Sequence, residues 1–439
     1  MILRAERSRR PKLSRVLTAL SACVVALSVG QAAAMDENAP YRRPVKTVAP
    51  ERLKIKTALG EAMLPAYLSR DVTKEQSQVK RAVIVVHGRL RDADKYFGLS
   101  MRAAKSSDAL AETLVIAPQI LTYADAARHD LAPNLSRWTN EAWLGGDVGK
   151  APFAISSFEV LDGIIALLSD RARFPNLERI VVAGHSGGAQ FVQRYAVVGR
   201  ADQVLTAAGL QPYADGVEVA AGKSNVMRVR YVVANPSSYL YFDSTRSKPV
   251  EKCAGVDHWR YGLIEPVAYV RGDNKAMEQR YLTRRVIYMA GGNDVDPNHS
   301  ALDKTCMAET QGVNRLERST NYFAHVQKRA KFQGATLRHT RVEVPGVAHD
   351  ADRMFNSACG KAALFDAPGC ELKLGDSFVE SAAAAAATPA TAPTSASVTA
   401  PASVTAPASA TAPASATAAV IGTGSSSGSA SPRHSQAKQ

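Results

Sequence analysis

The stretch Arg179-Ile180-Val181-Val182-Ala183-Gly184-His185-Ser186-Gly187-Gly188-Ala189-Gln190 decides the fold. Ile180–Ala183 is a short apolar run of strand type, and Ala189–Val198 continues with helix-like composition. Between them lies G-x-S-x-G, set in a strand, a sharp turn and a helix. In that setting the turn lifts a serine out of the sheet edge, strains its backbone and exposes Oγ as a nucleophile. Glycines on both sides leave room for the bend, and small Ala189 lets the helix pack close. The N–H of Gly187 falls at a helix start, where it is free to receive a developing oxyanion.

Working outward, Ala82–Val86 (A-V-I-V-V), Thr113–Ala117, Val229–Ala234, Arg285–Ala290 and Thr336–Val344 read as further strands, and Leu53–Thr57 with Ala62–Leu68 as a hairpin. Their continuous apolar runs suit strands buried on both faces. Helices are expected over Lys95–Ser107, Ile155–Arg171, Ser300–Lys331 and Asp352–Ala363. The alternation predicts an α/β protein with a mostly parallel central sheet covered by helices on both faces. Gln119–Pro152 is read as a long irregular insertion, a kind of loop that is usually functional. Trp138 and Trp143 within it are candidates to line a substrate cleft, the alternative being that both are packing residues.

In such sheets functional groups collect at the carboxyl ends of strands. After Ala82–Val86 comes His87-Gly88-Arg89-Leu90, where the Arg89 N–H is a candidate second oxyanion donor and His87 is read as structural. After Arg285–Ala290 comes Gly291-Gly292-Asn293-Asp294-Val295-Asp296-Pro297. Asp294 and Asp296 both qualify to orient a histidine, and Asp294 is preferred because it comes first after the glycine turn. After the last strand, His349 sits in Gly346-Val347-Ala348-His349-Asp350, where a base could reach Ser186. His185 is read as pointing away from the nucleophile, and His258, His299, His325 and His339 as weaker candidates. The chain order is nucleophile, acid, base: Ser186, Asp294, His349.

Over roughly residues 80–365 the chain resembles an α/β-hydrolase, through His87-Gly88, Gly184–Gly188, Gly291–Asp294 and Gly346–Asp350. The segments Asn235-Pro236-Ser237-Ser238-Tyr239 and Leu302–Arg318, with L-D-K-T-C and Q-G-V-N-R, are similar to a little-characterised group of bacterial and fungal hydrolases. The resemblance implies Ser186 as nucleophile, Asp294 as acid, His349 as base, Arg89 and Gly187 as oxyanion donors, and no cofactor. The lack of G-G-G after His87 departs from lipase-like members. The implied activity is a serine hydrolase acting on an ester or related acyl bond in a small or polymeric substrate. Alternatives are a serine peptidase or acyltransferase of the same fold, or a non-catalytic surface-binding protein on this scaffold.

The ends bound the domain. Residues 1–34 read as a signal peptide, with a basic region up to Arg15, an apolar stretch Val16–Val29 and a small-residue site Ala32-Ala33-Ala34. Leu20-Ser21-Ala22-Cys23 also resembles a lipobox, which would anchor the chain through Cys23. Residues 35–50 are expected to be a linker, 51–378 the hydrolase domain, and 379–439 a disordered tail. That tail is rich in Ala, Pro, Thr and Ser, with near-repeats starting at Thr399, Thr405 and Thr411, and is a candidate for cell-envelope association. The formal charge is +14, of which the first 34 residues carry +5 from six basic residues and one acidic. Without blocks of Lys/Arg beyond the signal, this excludes a nucleic-acid-binding signature. Loss of Cys23 with the signal leaves Cys253, Cys306, Cys359 and Cys370, an even number that suggests two disulfides in an exported protein. Cys359 with Cys370 would close a short loop and Cys253 with Cys306 a longer one, but three pairings are open. The spacings do not suit a metal site. No transmembrane span is expected after signal removal.

Overall fold

Period-2 alternation splits each central strand between two apolar layers. The computed structural model describes residues 39–214 and 225–375 and the backbone of 377–379. The expected signal peptide with Cys23, and the tail from 380 onward, lie outside the described residues. In chain order the strands are β1 (Glu51–Thr57), β2 (Gly60–Leu68), β3 (Arg81–Val86), β4 (Thr113–Pro118), β5 (Leu121–Thr122), β6 (Arg137–Trp138), β7 (Arg179–His185), β8 (Gln211–Ala214), β9 (Val226–Ala234), β10 (Arg285–Gly291), β11 (His339–Val344) and β12 (Ser377–Val379). The main sheet has the order β1-β2-β4-β3-β7-β9-β10-β11-β12. Strand β8 pairs with residues 226–229 of β9, and β10 with residues 230–234. Pairing is parallel except for the two ladders of β2, with β1 and with β4.

On one face, Ala82, Ile84, Val86, Ile180, Val182, Tyr231 and Val233 pack against helices Ser157–Leu168 and Gly187–Val198. On the other, Val83, Val85, Val181, Ala183, Val232, Ala234, Ile287 and Met289 meet helices Ala93–Lys105, Ala351–Asn356 and Ala358–Phe365. An apolar run with no polar alternation is what a strand covered on both sides requires.

Several boundaries differ from expectation. Ser300–Lys331 is not one helix but two, Cys306–Glu309 and Arg315–Gln333. Gly312, at φ +149, interrupts them, and Asn314 caps the second by accepting the Glu317 N–H. The closing helix is likewise divided at Ser357, whose side chain accepts the Gly360 N–H. The insertion after β4 holds the small β5–β6 ladder and the helix Tyr123–Arg128. Residues 39–50, expected to be a linker, pack onto this insertion. The Val45 N–H donates to Asp125 Oδ1 and the Ala49 N–H to Gln119 Oε1, both at 2.8 Å. Cys253 is bonded to Cys306 and Cys359 to Cys370, which selects one of the three pairings. Among the described residues, no helix is long and apolar enough to cross a membrane.

Candidate active site

Strand β7 runs straight into Ser186, whose φ is 58° and ψ −119°. A non-glycine residue adopts that conformation only at a cost of about 1–3 kcal/mol, which the surroundings must enforce. They do so by close approach. A Cβ on Gly184 would lie 2.3 Å from Gly188 O, and one on Gly188 would lie 2.2 Å from Val86 O. The Ser186 N–H is held by Ala234 O at 2.9 Å. Gly187 then opens the helix Gly187–Val198, so its N–H has no carbonyl of the helix to bond.

The loops after β10 and β11 are stitched together beside this turn. Asn293 N–H donates to Val347 O and Gly292 N–H to Val344 O. A Cβ on Gly291 would lie 2.4 Å from Val347 O, so only glycine admits this approach. Asn235, at the end of β9 with φ +48°, accepts the Gly291 N–H on Oδ1 and donates through Nδ2 to Ala348 O and His185 Nε2. The result is a hydrogen-bonded chain. His349 Nδ1 donates to Asp294 Oδ2 at 2.8 Å, and the Ser186 hydroxyl donates to His349 Nε2 at 2.9 Å. The structure brings these three residues together, one from each of the loops after β7, β10 and β11. Strand order, elbow and loop placement together decide the architecture. The chain has the α/β-hydrolase fold.

Burial pushes the Asp294 carboxyl up, but His349 and Arg315 outweigh it and hold the group below its ordinary value. Burial sets His349 below its ordinary value even though Asp294 pulls the other way. A neutral, proton-accepting imidazole is the result near neutrality. Asp296, the other acid considered, lies in the exposed loop and accepts the Asn298 N–H.

Arg89 comes from the loop after β3. A Cβ on Gly187 would lie 3.1 Å from Arg89 N, so the two residues expected to supply oxyanion donors are close neighbours at the elbow. His87 holds this loop. It is fully buried, its Nδ1 donates to Gly88 O and its Nε2 accepts the Ile120 N–H, both at 2.9 Å. Burial pushes its pKa down to about 4, consistent with a structural imidazole. Ser186 and His349 open into a cavity of about 470 Å³ whose wall includes Tyr41, Arg89, Leu90, Tyr96, His185 and His299.

The two tryptophans proposed for a substrate cleft are not in this wall. Trp138 and Trp143 are buried in the core, with relative exposures of 0% and 1%. Trp143 packs edge-on to His87 and against Phe191, and Trp138 donates its indole N–H to Asp147 O. Large rings gain more from full burial than from lining an open pocket. His185 also departs from expectation, because its ring lies 4.6 Å from that of His349 rather than away from the site. His299, dismissed in the sequence, packs edge-on to His349 at 5.0 Å. Arg315 was missed altogether as a site residue; it is buried and donates to Asp294 Oδ1 at 3.2 Å.

No family model matches the chain, and no curated relative does. Among solved structures, the chain is similar to poly(aspartic acid) hydrolase-1 from Sphingomonas sp. KT-1, at 20% identity and a TM-score of 0.48 over 72% of this chain and 100% of that one. It is also similar to a poly(3-hydroxybutyrate) depolymerase from Bordetella parapertussis, at 19% identity and a TM-score of 0.47, over 73% and 91%. A siderophore hydrolase from Aspergillus nidulans matches at 14% identity and a TM-score of 0.36, over 74% and 98%.

Proposed function

We propose that the protein is an exported serine hydrolase that cleaves an ester or related acyl bond through an acyl-enzyme. The observation that carries this reading is the unbroken hydrogen-bonded chain Asp294–His349–Ser186 ending in an open cavity. His349 Nε2 takes the Ser186 proton as Oγ attacks the carbonyl carbon. Asp294 keeps the Nδ1–H tautomer and stabilises the imidazolium that forms. The N–H groups of Gly187 and Arg89 receive the oxyanion, each worth about 3 kcal/mol. His349 then returns the proton to the leaving group, and water, activated by the same imidazole, releases the acyl group. Two disulfides support export, since such bonds persist in oxidising compartments.

A fluorophosphonate probe tests the reading. Wild-type protein is expected to label at one site and Ser186→Ala not at all. Folded wild-type protein that stays unlabelled would refute the assignment.

A further inference from the structure

The helix Arg315–Gln333 delivers its first residue to the acid side of the site. Arg315 is fully buried at the side chain. Its Nη1 donates to Asp294 Oδ1 and its Nε to Ser237 Oγ, each at 3.2 Å. Ser237 Oγ is fixed in turn by donating to Ala301 O. The main chain adds a third tie, from Leu316 N–H to Asp294 O at 3.3 Å. The two carboxylate oxygens of Asp294 are thus divided, Oδ1 to Arg315 and Oδ2 to His349.

We propose that Arg315 is a positioning residue for the Ser186 site: by occupying Oδ1 it fixes the Asp294 carboxylate in the rotamer that presents Oδ2 to His349. Its catalytic meaning rests on the serine-hydrolase reading above. The arrangement has an electrostatic cost that a purely structural arginine would avoid. A cation beside the acid weakens the attraction between Asp294 and the imidazolium of His349. The groups facing His349 are Asp294 from the loop after β10, His299 edge-on, His185 against its ring and Arg315 behind the acid. Asp350, next in the chain, is turned to the N–H groups of Asp352 and Arg353. Arg89, Asp92 and Tyr96 face the same cavity, and Asp296 acts on His299. Arg315 itself is opposed by Arg318 and Arg89. Burial and Arg315 push His349 down, and Asp294 pulls it up. Without the Arg315 charge, His349 should titrate higher.

The test compares wild type, Arg315→Met and Arg315→Lys, each checked for folding by near-UV circular dichroism. Two quantities are read: the His349 titration midpoint by NMR, and the pH dependence of fluorophosphonate labelling. In Arg315→Met the midpoint is expected to rise, the acid limb of labelling to rise with it, and the plateau rate to fall about tenfold. Arg315→Lys should restore the midpoint and not the plateau, because one ammonium cannot span Asp294 and Ser237 together. Should Arg315→Met not fold, a Lys variant with a wild-type plateau overturns the proposal, and one with a reduced plateau at an unchanged midpoint sustains it. An Arg315→Met protein with wild-type midpoint and plateau also overturns it. If wild type does not label and the midpoint still shifts, the serine-hydrolase reading falls while the control of His349 by Arg315 stands.

Discussion

Arg91→Met should cost about 3–5 kcal/mol of stability and slow the labelling of Ser186, because Arg91 holds the main chain of Tyr41 and Arg89 in the cavity wall although it does not itself line the cavity. Arg91 and Asp125 form an ion pair at 1% and 0% side-chain exposure. The guanidinium makes five hydrogen bonds: two to Asp125, and one each to the carbonyls of Tyr41, Arg43 and Arg89. Methionine keeps most of the apolar stem and removes all five. Asp125 keeps the Thr122 N–H, the Thr122 hydroxyl and the Val45 N–H, which do not neutralise a buried charge. That uncompensated carboxylate is the main source of the loss. Burial raises the Asp125 carboxyl in wild type, but Arg91 and the N–H donors more than reverse this and leave it below 3.8. A group lowered on folding contributes stability that is present above its unfolded value and is lost as pH falls through its folded value. In the variant, burial acts without the arginine, so protonation relieves the strain. The difference between the two proteins should therefore be widest near pH 7 and shrink as the pH falls towards 4, where the unpaired Asp125 of the variant takes up a proton. Urea unfolding at a series of pH values measures it, with equal m-values as the check on two-state behaviour. A difference under 1 kcal/mol at pH 7, or one that is flat between pH 7 and 4, would show that the pair does not anchor this loop.

Three further outcomes follow from the geometry. Gly188→Ala should lose labelling and about 3 kcal/mol of stability, because its Cβ would meet Val86 O and His87 O, main-chain atoms with nowhere to go; thermal melts and the probe read both effects. Asp294→Asn should slow labelling by about 10³–10⁴-fold through the wrong histidine tautomer, while Asp296→Asn stays within about twofold; the reverse result would move the acid to Asp296. Replacing Cys253 and Cys306 by serine should cost about 4 kcal/mol, and Cys359 and Cys370 about 3 kcal/mol, following the logarithm of the separations of 53 and 11 residues; denaturant midpoints give both values.

What the sequence made legible is what is local. The elbow is a contiguous pattern of an apolar run, a glycine turn and a helix start, and Ser186 follows from it. Asp294 and His349 are read in the same way, each in a glycine-containing loop just past a strand. Residues whose role depends on non-local contacts did not show. Arg315 reaches Asp294 only after the chain has passed through Cys306–Glu309 and the Gly312 break, neither of which has a periodic signal. The contact of His185 with the His349 ring does not show in the sequence, because it depends on a loop more than 160 residues away. For Trp138 and Trp143 the sequence leaves cleft lining and packing equally open, and their burial in the core selects packing. Strand β8, Gln211-Pro212-Tyr213-Ala214, has no apolar alternation and takes its conformation from pairing with β9.

The segment ahead of β1 gives this scaffold an adjustable part. Ala39, Pro40 and Tyr41 form one side of the cavity, with the Arg89 guanidinium 3.7 Å above the centre of the Tyr41 ring. None of them belongs to the sheet or to the helices that cover it. Changes here can reshape the opening in front of Ser186 while the layered core, and with it most of the folding free energy, stays as it is. A form of the protein trimmed to begin at Val45 would lose this side of the cavity and, with it, the Tyr41 and Arg43 carbonyls that accept from buried Arg91.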